Sequence, residues 1–209
     1  MFKGNTRALR GLGVAVVIGL SVLNAGPAAA HHPFAMVEGG EMTALQGLLS
    51  GIGHPLLGPD HLLFLVAIGL IGLRRPVAWV LPLLAFALGG AVLTQIFPLA
   101  SSLEPAAEAL VSLSLMVEGL IALSLIPAGL LLPVIGMHGY LLGGAIVGAE
   151  STPLITYFLG LLIAQGALLL AVSLGSKRLL DALGAQGKRV AAGILIGMGG
   201  AFAWAALVA

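Results

Sequence analysis

Six stretches of almost unbroken apolar residues, at about 43–73, 77–98, 105–126, 128–149, 152–174 and 189–208, alternate with short polar or proline-bearing punctuation. Each has the roughly 20 helical residues needed to cross a hydrocarbon layer about 30 Å thick. The punctuation has loop composition: Arg74-Arg75-Pro76, Ser101-Ser102-Leu103-Glu104-Pro105, Pro127, Glu150-Ser151-Thr152-Pro153 and the polar stretch from Ser176 to Arg189. Several of its prolines are placed to start helices. Because a chain in lipid must satisfy its own backbone hydrogen bonds, the pattern predicts an all-α membrane protein of about six transmembrane helices.

Composition supports this and excludes much else. The chain is 59% hydrophobic and 8% charged, with a mean hydropathy of +1.14, so it has too few charges to cover a soluble globule. Its 31 glycines suit closely packed membrane helices, and Gly193 and Gly197 form one GxxxG pair, which chance also supplies in a chain so rich in glycine. A net charge of +1 gives no footprint for nucleic acid. The absence of cysteine removes disulfides and thiolate ligands, leaving imidazole, carboxylate, thioether, hydroxyl and backbone oxygen as metal donors.

Residues 1–30 have the three parts of a cleaved signal peptide: basic Lys3, Arg7 and Arg10, an apolar run from Gly11 to Leu23, and Ala28-Ala29-Ala30. The mature chain, 31–209, then reads as a single polytopic transmembrane domain beginning His31-His32-Pro33. With residue 31 outside, Arg74, Arg75, Lys177, Arg178, Lys188 and Arg189, every basic residue after the signal, fall in cytoplasmic loops. This obeys the positive-inside rule and places both mature termini on the outer, periplasmic face of a bacterial cytoplasmic (inner) membrane. His31 and His32, with Glu38 and Glu41, are candidates for a weak outer capture site for cations, or simply follow the processing site. No internal repeat is visible, and the oligomeric state cannot be read.

The candidate chemistry lies in the first passage, at His54-Pro55-Leu56-Leu57-Gly58-Pro59-Asp60-His61. Polar ligand-type residues are costly in hydrocarbon, roughly 2.5–3.5 kcal/mol for an ionised side chain at the bilayer centre, so they face a partner, a cavity or an ion. On an uninterrupted helix His54 and His61 would share a face but stand about 10 Å apart along the axis. Donors to one ion must converge to about 4 Å, so there are either two successive sites or a broken helix. The residues favour the break: Pro55 and Pro59 lack N–H groups and free the carbonyls of Gly51 and Pro55, and Gly53 and Gly58 tolerate unusual dihedrals. Pro59 suits the first turn of a restarting helix, where Asp60 meets the positive helix end.

Further polar residues extend the candidate list. His138 either faces this motif or bonds a carbonyl in the bundle. Glu108 and Ser112, four apart on one helix face, either line a pathway or, for Glu108, complement a helix start. Glu118 lies deeper and reads as a pathway or proton-linked residue. Gln165 can bond between helices instead of ligating.

His54 to Leu63, following the signal segment and the histidine pair, resembles the hallmark of the HupE/UreJ family of hydrogenase and urease accessory membrane proteins. Glu108 to Ser114, His138-Gly139-Tyr140, Gly148 to Leu154 and Tyr157-Phe158-Leu159-Gly160 resemble further segments of that family. Tyr140 and Gln165, where many members carry histidines, are similar to the cyanobacterial-type branch. The resemblance implies a secondary permease for a divalent transition-metal ion, nickel or cobalt, with His54, Asp60 and His61 as motif residues and no prosthetic group or enzymatic activity. Two rivals use the same residues: a membrane-embedded metal-dependent hydrolase, for which no HExxH motif is present, and a haem-binding protein with His54 or His61 paired to His138.

Overall fold

The computed structural model describes residues 42–208, and all of its regular elements are helical. The predicted signal segment, His31, His32, Glu38 and Glu41 lie outside the described residues. The first helix, α1 (Ala44–Leu57), opens at a capping box in which the Thr43 hydroxyl accepts from the Gln46 N–H and the Gln46 side chain accepts from the Thr43 N–H. Pro55 sits in its last turn, and the chain leaves the helix at Gly58. Pro59 then takes the first position of α2 (Pro59–Ala67), which a 3₁₀ turn, Ile68–Leu70, prolongs. The two limbs are bent by 69°. Gly58 adopts ordinary extended dihedrals (φ −74°, ψ 112°), so the unusual backbone expected there is not used. Its missing side chain matters for space instead, since a Cβ would stand 3.2 Å from the His54 carbonyl oxygen.

The remaining elements are α3 (Pro76–Ile96), α4 (Glu104–Ala122), α5 (Leu131–Gly144) and α6 (Ser151–Val208). Among the described residues, α3, α4 with its leading 3₁₀ turn, and α6 are each long and apolar enough to cross a membrane. The bent α1–α2 pair makes a fourth if it counts as one passage, and α5 with its leading turn is apolar but shorter. Large apolar side chains such as Leu81, Ile155, Leu174 and Trp204 are exposed all over the outer surface, far more than a soluble monomer leaves to water. The chain is a multi-pass membrane protein.

One sequence expectation is corrected. Ser176 to Arg189, read as a loop, is helical on both sides of Gly184, the one residue of α6 with non-helical dihedrals (φ 62°, ψ −177°). That backbone region is open essentially to glycine alone. Leu179, Leu180, Ala182 and Leu183 are good helix formers, and Lys177 and Asp181 stand one turn apart. The charges therefore mark where α6 leaves the apolar zone, not where the helix ends. At about 50 Å, residues 151–183 are longer than the hydrocarbon layer is thick.

Small residues set the packing. Gly47 abuts the Pro153 backbone and Gly51, one turn on, that of Tyr157, so α1 runs parallel to the first limb of α6. Gly139 and Gly143 abut the backbone of Ala87 and Ala91, so α3 and α5 also run parallel. The second limb of α6 crosses α4 in the opposite sense, with a Cβ on Gly119 falling 2.6 Å from the Ala192 carbonyl oxygen and one on Gly199 3.0 Å from that of Ser112. Gly193 and Gly197, the GxxxG pair, face open space and meet nothing among the described residues.

Gly139→Ala should lower stability by about 1–3 kcal/mol, because the clash is with backbone that must move. Gly193→Ala and Gly197→Ala should be neutral or slightly stabilising, since alanine is the better helix former by about 1 kcal/mol. Unfolding of the three variants in mild detergent checks this ranking.

Candidate metal site

The break at Gly58 decides where the leading motif's side chains fall. His54 occupies the last turn of α1, while Asp60 and His61 occupy the first turn of α2. The 69° bend removes the axial separation a straight helix would impose: the two imidazoles stack, with ring centroids 5.7 Å apart and planes inclined by 14°. His138, from the middle of α5, meets His61 edge to face at 5.1 Å. All three imidazoles are buried.

Each ring has a distinct set of contacts. The Asp60 carboxylate lies 3.0 Å from His61 Nδ1. That separation suits an ion pair, but its direction misses hydrogen-bond alignment, and neither ring nitrogen of His61 has a hydrogen-bond partner among the described residues. Glu108 is close enough to act on His61 electrostatically. His138 Nε2 is 2.6 Å from the Ser114 hydroxyl of α4, and its Nδ1 has no hydrogen-bond partner among the described residues. Phe64, fully buried one turn beyond His61, stacks on the His138 ring at 3.9 Å. His54 Nδ1 is 3.0 Å from the phenol oxygen of Tyr157, on α6.

The structure thus brings four expected residues into one cluster built from α1, α2 and α5, the buried imidazoles of His54, His61 and His138 and the half-buried carboxylate of Asp60. Among the described residues, no three histidine, aspartate or glutamate side chains stand in a geometry ready to hold a metal ion. The rings are packed on one another, and ligation requires them to turn. The pathway candidates are more scattered. Glu108 is half-buried at the near end of α4, Ser112 is buried where α4 meets the second limb of α6, and Glu118 lies one turn past Ser114 on α4. Glu118 is fully buried, with no hydrogen-bond partner for either carboxylate oxygen among the described residues. Gln165 is buried in α6, and its side-chain nitrogen has no such partner either.

Sequence reasoning did not assign Ser114, Phe64 and Tyr157 to the site. Tyr157 carried a signal: a phenol in an apolar helix must place its hydroxyl on a partner. Ser114 and Phe64 carried none, because serine and phenylalanine are ordinary residues in a membrane bundle.

These features define a helical membrane protein with a cluster of buried imidazoles and a half-buried carboxylate at a broken helix. The sequence model of the HupE / UreJ protein family matches residues 18–202, nearly the whole chain. The chain belongs to that family, one of membrane transporters and not of enzymes, which is consistent with nickel or cobalt transport and implies a metal-ion substrate. No curated protein and no solved structure matches the chain.

Removing the Ser114 hydroxyl that bonds His138 Nε2 tests the cluster's integrity. Ser114→Ala leaves a buried ring nitrogen without its partner and should cost about 1–3 kcal/mol. Denaturant unfolding of the detergent-solubilised variant measures it, and unchanged stability would contradict a buried serine–histidine bond.

Proposed function

We propose that this protein is a secondary permease importing nickel or cobalt across the cytoplasmic membrane, with His54, Asp60, His61 and His138 as the intramembrane binding site. The observation that carries this is the convergence of three buried imidazoles and one carboxylate at the helix break, in a chain whose family transports metal ions. A divalent ion shedding its water needs replacement donors, and neutral imidazole and carboxylate suit borderline transition metals. The carboxylate also offsets charge that hydrocarbon would penalise. Release requires loose binding, which agrees with rings that must turn to ligate. Glu108 and Ser112 would line the outer approach and Glu118 the inner half. His31, His32, Glu38 and Glu41 would gather ions outside.

The same proposal takes residues 1–30 as a removed signal peptide and 31–209 as six passages with both mature termini outside. Division of α6 at Gly184 supports this count. So does helix direction: α1 with the first limb of α6, and α3 with α5, run parallel, while α4 and the second limb of α6 run antiparallel. Strict alternation of six passages gives this pattern.

The test is accumulation of labelled nickel and cobalt by cells expressing the wild type or His54→Ala, Asp60→Ala, His61→Ala or His138→Ala. Each variant should insert normally and lose at least about tenfold in uptake. Competition between the two ions in the wild type reads selectivity, and equal uptake by all five strains would remove the proposed site.

A further inference from the structure

Tyr157 is fully buried, and its hydroxyl lies between two groups: the Leu142 carbonyl oxygen at 2.5 Å and His54 Nδ1 at 3.0 Å. A phenol has one proton to give. The Leu142 carbonyl has the stronger demand for it. Leu142 stands in the last turn of α5, where carbonyls lose their helical donors, and the Ile146 N–H that would serve it bonds Gly143 instead. An oxygen–oxygen contact of 2.5 Å is attractive only with a proton in it. The phenol therefore donates to Leu142 and presents only lone pairs to His54. The nitrogen facing those lone pairs must carry the proton, so neutral His54 is the Nδ1–H tautomer and its lone pair is on Nε2.

From this geometry we infer that Tyr157 is a positioning residue for the transported ion: by way of the Leu142 carbonyl it fixes the tautomer and the ring orientation of His54, so that Nε2 is the donor atom offered to the metal. Histidine ligands are commonly set in this way by a hydrogen bond on their other nitrogen, and loss of such a partner weakens metal binding by about 10–100-fold. The arrangement also couples helices. Tyr157 comes from α6, the carbonyl from α5 and the imidazole from α1, so a shift of α5 against α6 would withdraw the proton acceptor and release the ring. The inference rests on His54 being a ligand, as proposed above.

The test uses the full-length protein in lipid, labelled with nitrogen-15 in the histidine rings, and a nickel-binding titration on the same samples. In the metal-free wild type the His54 signal, identified by its absence in His54→Ala, should show a protonated Nδ1 and an unprotonated Nε2. In Tyr157→Phe, which keeps the ring and drops only the hydroxyl, that signature should give way to a mixture of tautomers, and nickel affinity should fall about 10–100-fold. A purely space-filling tyrosine would leave the tautomer unmoved. A wild-type His54 with its proton on Nε2 overturns the inference outright, with no variant needed. Normal nickel binding by His54→Ala instead overturns the binding-site proposal and this role with it. Lost binding in His54→Ala with wild-type affinity and tautomer in Tyr157→Phe overturns the role of Tyr157 alone.

Discussion

Two prolines four residues apart, Pro55 and Pro59, deny the first passage two of its helical hydrogen bonds, and the chain turns by 69° at the glycine between them. The rest of the site depends on that interruption. It places the end of one helix against the start of the next, so that residues seven apart in sequence stack ring on ring. A continuous helix would put the same two imidazoles two turns, about 10 Å, apart, too far to hold one ion between them. The break also sets Asp60 in the first turn of α2, where the unpaired N–H groups of a helix start favour a carboxylate.

The bundle holds this unusual first passage by close backbone contact. Gly51 and Gly160 let α1 and the first limb of α6 approach until their backbones touch, which brings Tyr157 beside His54. Gly139 lies next to His138, and its contact with the Ala87 backbone fixes the level of α5 against α3. Lipid gives no hydrophobic drive for helices to associate, so such packing and a few buried hydrogen bonds must supply the cohesion. Phe64 stacks on the His138 ring and joins Leu65, Ile68, Leu115, Leu131, Ile135 and Leu169 in one continuous apolar core beside the cluster.

How much of this was legible in the chain differs by feature, for physical reasons. The helix break was readable because proline's missing N–H is a local property that no tertiary contact restores. The approach of His138 to the motif rests on a simple cost argument, that an imidazole in hydrocarbon needs polar company. The stretch 176–189 was misread because charge reports where water begins, while helix continuity depends on propensity, and Leu, Ala, Lys and Arg all sustain a helix in water. Gly193 and Gly197 show the converse: their spacing permits close packing, but only the facing helix decides whether it is used, and here Gly119 and Gly199 make the contact. Ser114 and Tyr157 could not be assigned because their partners lie 24 and 103 residues away.

The central claim is that the nitrogen donors gathered at the helix break bind the transported ion. X-ray absorption of the purified, nickel-loaded protein reads the metal's ligands directly. The account predicts at least two imidazoles in the first coordination shell together with oxygen donors, and loss of imidazole scattering in the His54→Ala and His61→Ala variants. A shell of oxygen alone, or an imidazole signal unchanged by both substitutions, would contradict it.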